Sequence, residues 1–266
     1  MPTEKVNNLK NYLSSLPGLV IAYSGGADSS FLLKIAFEVL RERVVAATAA
    51  SCTLPRRELE AAQAFCTSLG VKHFIIKTDP LQIPGFSQNP CERCYLCKKD
   101  FFSRIKEAAD SWGINQVADG SNLDDLSDYR PGIKALKELS IATPLITAGF
   151  TKENIRQLSR EMGLPTWNRP AAACLASRFP FGEPINAERL QLVEQAEDYL
   201  LELGFKELRV RVHGSIARIE VGAEERSKIA CPGLMDEINQ KLKAMGFAYV
   251  TMDLGGYNRG CFNPVF

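Results

Sequence analysis

Several groups of residues in this sequence have types and spacings suited to chemistry. The first is Ser24-Gly25-Gly26-Ala27-Asp28-Ser29-Ser30. Adjacent glycines allow positive φ and close approach of a ligand to the backbone. A helix beginning just beyond them aims its unsatisfied N–H groups and positive dipole end at the loop, which makes an anion site suited to phosphate. The nucleoside-triphosphatase pattern G-x-x-x-x-G-K-[ST] is absent, and no lysine follows the glycines before Lys34. The second group is Cys91-x-x-Cys94-x-x-Cys97, with Cys174 far along the chain. On a helix, a spacing of three places neighbours on one face. Three converging thiolates imply zinc or an iron–sulfur cluster, and Cys174 as a fourth ligand fits either. Two of the four could instead form a redox pair. The third group is Cys174 itself, a thiol between Arg169 and Arg178 in a stretch of small residues. A nearby cation lowers a thiol pKa, although a small buried cysteine would read the same way. Arg209 and Arg211 lie two apart, so on a strand both face one side and suit a bidentate grip on phosphate, or a plain solvated face. His213 and Glu220 beside them are candidate metal ligands.

These residues need elements to position them. Leu19–Tyr23 is a short uncharged apolar run, the pattern of a strand buried in a parallel sheet. Ala27–Leu40 carries Phe31, Leu32, Ile35, Ala36 and Val39 at helical spacing. A leading helix over 3–15, strands over 44–49, 73–76 and 115–119, and helices over 55–69 and 91–112 complete an alternating pattern. Such alternation predicts an α/β fold, a parallel sheet with helices on both faces and ligands at the carboxyl ends of the strands. Residues 80–90 read as a loop. The acidic turn Asp119-Gly120-Ser121-Asn122-Leu123-Asp124-Asp125 follows a strand at the same edge as the phosphate loop, which suits a nucleotide or magnesium role. Thr151 is placed to cap a helix over 151–162. After residue 182 the pattern changes to helix 187–203, paired strands 205–212 and 215–221, helix 234–245 and strand 247–254. This predicts a small α+β domain at 183–266 after a first domain at 1–182.

Composition narrows the class. The 266 residues are 45% hydrophobic, and 32 basic against 31 acidic residues leave a net charge of +1. Bulk charge gives nucleic acid and membrane surfaces no support. No apolar run approaches the roughly 18 residues of a membrane span, and the polar N-terminus is no signal peptide. The expected location is the cytoplasm. There the eight cysteines read as thiols or metal ligands rather than disulfides. Cys52, Cys66, Cys231 and Cys261 show no partner pattern and are expected to be packing residues.

The Ser-Gly-Gly-Ala-Asp-Ser-Ser string resembles the pyrophosphate (PP) loop of the N-type ATP pyrophosphatases. That resemblance implies cleavage of ATP to AMP and pyrophosphate. Ser24, Gly25, Gly26, Ser29 and Ser30 would hold pyrophosphate, and Asp28 would act near magnesium. Four more motifs stand in the order found in the LarE family, ATP-dependent sulfur transferases of nickel-pincer nucleotide synthesis. They are Asn89-Pro90-x-x-Arg93-Cys94-Tyr95-x-Cys97-Lys98, Asp119-Gly120 to Pro131-Gly132, Ala173 to Arg178, and Arg209-Val-Arg211-x-His213-Gly214. The resemblance covers nearly the whole chain. It implies a pyridinium biscarboxylate mononucleotide substrate, adenylylation of a ring carboxylate by ATP, and displacement of AMP by sulfur. Gly120, Asp125 and Arg130 would join the ATP site, and Arg209 and Arg211 would hold the substrate phosphate. Cys174 matches the family's sulfur-bearing residue. In one branch that cysteine gives up its sulfur and becomes dehydroalanine. In another, three cysteines hold a [4Fe-4S] cluster whose fourth iron carries sulfur; Cys94, Cys97 and Cys174 would supply it, with Cys91 as a further candidate. The family tends to form hexamers. The rival readings are a tRNA thiolase, an ammonia-using amidotransferase, or a nucleotide- or metal-responsive binding protein.

Overall fold

The computed structural model describes residues 2–126, 131–169 and 174–257. The chain divides into two compact units. Met1–Asp79 and Glu92–Ala172 make the first, and Pro80–Cys91 with Ala173–Phe266 make the second.

The first unit is α/β. In chain order it contains α1 (Pro2–Ser14), β1 (Leu19–Ala22), α2 (Ala27–Leu40), β2 (Val44–Ala50), α3 (Arg56–Leu69) and β3 (Lys72–Lys77). Then come α4 (Arg93–Ser111), β4 (Val117–Asp119), α5 (Gly132–Glu138), α6 (Pro144–Thr147) and α7 (Lys152–Glu161). Four parallel strands pair in the order β3-β2-β1-β4. The alternation of side chains along β1 divides the core. Leu19, Ile21 and Tyr23 pack with Leu9, Phe31, Phe65 and Ile155 on one face. Val20 and Ala22 pack with Phe102, Ile105 and Leu136 on the other. Both faces are therefore buried under helices, as the apolar strands require. The chain leaves β1 towards β2 and β3 and later returns to β4 on β1's other side. The switch in strand order thus falls between β1 and β4, where doubly wound sheets bind ligands.

Local signals fix the ends of the elements. Gly70 ends α3 at φ 75°, its N–H donating to the Cys66 and Thr67 carbonyls. Thr151 caps α7 in a reciprocal box with Asn154. The strand expected from residue 115 begins at Val117, and the helix expected from residue 91 begins at Arg93. Helices α5 and α6 stand where no helical periodicity marks the chain.

The second unit has α8 (Ala187–Glu202), β5 (Leu208–His213), β6 (Ile216–Val221), α9 (Arg226–Ile229), α10 (Pro232–Met245) and β7 (Tyr249–Met252). Strands β5 and β6 form the expected antiparallel pair, and β7 runs parallel to β6. Residues 80–91 belong to this unit although they interrupt the first in sequence. Asn89, at φ 54°, donates from Nδ2 to the carbonyls of Phe179 (3.3 Å) and Pro180 (2.7 Å), and its own carbonyl accepts from Gly182 N. Ile185 N donates to the Ser87 carbonyl. These bonds carry the unit's start ahead of the boundary expected at residue 183.

Candidate functional site

The phosphate loop joins β1 to α2. Gly25 takes φ 75°, the left-handed region that favours glycine. Gly26 caps α2 in extended conformation with no side-chain cap, so the helix opens onto the loop. The Ser29 hydroxyl donates to the Gly26 carbonyl (3.2 Å) and accepts from Ser24 N (3.3 Å). Ser24 Oγ lies 3.1 Å from Ser29 Oγ and accepts from Gly26 N at 3.4 Å. The loop therefore holds its shape through weak, replaceable contacts. Asp28 stands in the first turn of α2. Ser30, expected among the anion ligands, is fully buried; its hydroxyl meets the Tyr23 hydroxyl at 3.1 Å and its N–H donates to Gly26 O. It braces the loop from beneath.

The turn after β4 presses on the same helix terminus, because Ala22 and Asp119 are paired at the ends of neighbouring strands. A Cβ on Gly120 would lie 3.0 Å from both the Ser29 N and Cα atoms. Glycine is needed here for clearance. Asp119 fixes the turn: one oxygen accepts from the Ser121 N–H (2.8 Å) and hydroxyl, the other from Lys98 Nζ (3.3 Å). Asp125, expected to bind the nucleotide, is buried and ion-paired to Lys152 Nζ at 2.8 Å, and Asp124 accepts from Lys152 N. These carboxylates tie the turn to the start of α7. Arg130, expected in the same site, lies outside the described residues.

In the second unit Cys174 is exposed at the head of a single 3-10 turn, Leu175–Arg178. Buried groups hold that turn. Arg178 Nη1 donates to the Cys174 carbonyl at 3.1 Å, while Nε and Nη2 each meet a separate oxygen of Glu197 at 2.8 Å. Glu197, on α8, is fully buried and also accepts from Val210 N (3.1 Å). Burial opposes the Arg178 charge, but Glu197 outweighs it and holds the guanidinium pKa above its usual value. Burial likewise opposes the Glu197 charge, and Arg178 nonetheless holds its carboxyl below the usual carboxylate range. Both arginines that flank Cys174 in sequence thus have carboxylate partners, because Arg169 pairs with Glu58 at 2.9 Å in the first unit.

Arg209 and Arg211 project from β5 as expected, but differ in their partners. Arg211 is buried; Nε and Nη2 both reach Glu220 at 3.0 Å, and Nη1 donates to the Ser177 carbonyl (2.8 Å). Arg209 stacks over Tyr257 at 5.0 Å and donates to the Leu208 carbonyl, with no carboxylate ion pair among the described residues. Burial, then the neighbouring Arg178 charge, pushes its pKa down from the usual arginine value. Glu220, read as a candidate metal ligand, is taken by Arg211 and Arg218.

Comparison with known proteins decides the family. The NAD synthase family model matches residues 2–109. An uncharacterized protein of Synechocystis sp. is 42% identical over the whole chain and 99% of its own length. The pyridinium-3,5-bisthiocarboxylic acid mononucleotide synthase of Lactiplantibacillus plantarum is 37% identical over 94% of this chain and 91% of its own. The chain belongs to the LarE family. It is an ATP-using sulfurtransferase of the PP-loop type. A protein of Methanocaldococcus jannaschii, 31% identical over 94% of both chains, extends the same likeness.

The cysteines of this LarE-family chain do not all lie as the spacing suggested. Cys91 precedes α4, whose N-cap is Glu92; Cys94 and Cys97 lie on the helix, exposed and half-buried. The three do not share one helix face. Among the described residues, no group of three or more His, Cys, Asp or Glu side chains is placed to hold a metal ion. Of the cysteines expected to hold a cluster, Cys94 and Cys97 belong to the first unit, and Cys91 and Cys174 to the second. Cys66 packs fully buried, its thiol pushed up to about 12 by burial. Cys231, also expected in packing, is exposed, and Cys261 lies outside the described residues. Glu197 was missed, although a signal existed: it interrupts the apolar stripe of Leu190, Val193 and Leu200 on α8. A carboxylate on a buried helix stripe calls for a basic partner.

Proposed function

We propose that this LarE-family enzyme adenylylates a carboxylate of a pyridinium biscarboxylate mononucleotide and converts it to a thiocarboxylate, with Cys174 as the sulfur donor. The observation that carries the reading is the exposed Cys174 thiol on a turn held by the buried Arg178–Glu197 pair, in a chain 37% identical to a pyridinium-3,5-bisthiocarboxylic acid mononucleotide synthase. In the first unit, Ser24, Gly25, Gly26 and Ser29 hold the pyrophosphate of ATP, with Ser30 as a brace. Magnesium accompanies ATP and takes one or two carboxylates besides phosphates and water; Asp28, in the first turn of α2, suits that place. In the second unit, Arg209 binds the substrate phosphate and Arg211, braced by Glu220, positions the strand.

The chemistry divides one hard displacement into easier steps. The ring carboxylate attacks the α-phosphorus and expels pyrophosphate, giving an acyl adenylate. The Cys174 thiolate attacks the acyl carbon and AMP leaves, giving a thioester. Loss of the Cys174 Cα proton breaks its Cβ–S bond, leaving a thiocarboxylate on the ring and dehydroalanine at position 174. Cys174 requires no external reductant in this sequence. With purified protein and the mononucleotide, AMP and pyrophosphate should form in equal amounts; release of ADP would overturn the assignment. A cluster-borne sulfur rests on the C-x-x-C-x-x-C spacing and predicts iron in anaerobically purified protein.

A further inference from the structure

Arg169 does something at the phosphate loop that its neighbourhood in sequence does not announce. Its Nη2 donates to Glu58 Oε2 at 2.9 Å, and its Nη1 to the Gly25 carbonyl at 3.4 Å. Glu58 lies in the first turn of α3. Both side chains are mostly buried, at 24% and 17% exposed. We infer that Arg169 is a positioning residue of the phosphate loop, with Glu58 holding it in place. The inference rests on reading residues 24–30 as the pyrophosphate loop.

A trans peptide points its C=O and N–H in opposite directions. With the Gly25 carbonyl turned onto Arg169, the Gly26 N–H is turned the other way, to the inside of the loop. There the Ser24 hydroxyl meets it at 3.4 Å, a long contact that an arriving anion can replace. Gly25 at φ 75° has no side chain to set this orientation, and glycine is permissive about it. An external hold is therefore needed. The guanidinium fork reaches two acceptors at once, a carboxylate and a carbonyl, which a single ammonium group does less well. Arg169 would thus hold the loop ready for the anion before it binds.

Direct contact of Arg169 with the anion is the competing role, and Glu58 separates the two. Pyrophosphate binding should be measured by calorimetry on the full chain with magnesium, for the wild type, Arg169→Ala, Arg169→Lys, Glu58→Gln and the loop control Gly25→Val. Positioning predicts that Arg169→Ala weakens binding about tenfold and that Lys restores little of it. It also predicts that Glu58→Gln weakens binding, because Arg169 loses its anchor. Direct contact predicts that Glu58→Gln tightens binding, because the charge is released to the anion. Tightening in Glu58→Gln, or Arg169→Ala binding within about twofold of the wild type, overturns the inference. If Gly25→Val binds as the wild type does, the loop reading itself fails, a result distinct from either.

Discussion

Glutamine at position 197 would remove one charge from the second unit's interior and leave its shape nearly unchanged. Three donors converge on the Glu197 carboxylate: Arg178 Nε and Nη2, each at 2.8 Å, and Val210 N at 3.1 Å. Glutamine offers one acceptor oxygen, and its NH₂ would face the guanidinium. Arg178, with a side chain only 2% exposed, would keep an uncompensated charge. Breaking a buried pair on one side costs about 3–5 kcal/mol. For a unit of this size each kcal/mol is worth roughly 4–8 °C, so the melting temperature should fall by at least about 12 °C. The effect should depend on pH. Glu197 is held below the usual carboxylate range. Its stabilisation is therefore complete above the unfolded-state value of about 4.3. It is lost as pH falls through the lower folded-state value. Urea unfolding followed by circular dichroism at a series of pH values should show the widest gap between wild type and Glu197→Gln near neutrality, closing in acid. The double variant Arg178→Met/Glu197→Leu should recover most of the stability, yet lose sulfur transfer because the Cys174 carbonyl loses its donor. A gap under about 1 kcal/mol at pH 7, or one that stays constant into acid, would refute the reasoning.

Other consequences are as concrete. Gly120→Ala places a methyl group 3.0 Å from the Ser29 backbone, which cannot rotate away. It should cost about 1–3 kcal/mol in thermal unfolding and weaken ATP in calorimetry. Arg209→Ala should weaken the mononucleotide about tenfold or more and leave ATP near normal, whereas Arg211→Ala, which takes one ion pair from the buried Glu220 and leaves the one with Arg218, should also lower the melting temperature. Equal effects on both ligands would count against the phosphate role.

What could be read in the sequence was what periodicity and punctuation encode. Helix α2 runs from Ala27 to Leu40 as its apolar spacing indicates, and Gly70 and Thr151 mark ends that the structure confirms. Helices α5 and α6 are too short for a period to register and stand near Asp-, Pro- and Gly-containing stretches. The allegiance of residues 80–91 rests on Asn89 bonds to residues far along the chain, which no local pattern carries. The site divides in the same way. The turn at Gly25 and Gly26 was legible because backbone freedom belongs to the residue type. The ion pairs of Arg169 and Arg178 were not, because each depends on a carboxylate supplied by another element, Glu58 and Glu197. Spacing alone did not locate the start of the helix: Cys94 and Cys97 lie on α4, which begins after Cys91.

The central claim is that Cys174 supplies the sulfur. The most direct measurement is intact-protein mass with peptide mapping, after the enzyme has turned over once with ATP and the pyridinium biscarboxylate mononucleotide. The account predicts a mass lower by that of hydrogen sulfide, located at position 174, in proportion to the thiocarboxylate formed. Accumulation of thiocarboxylate with the mass at Cys174 unchanged would contradict it.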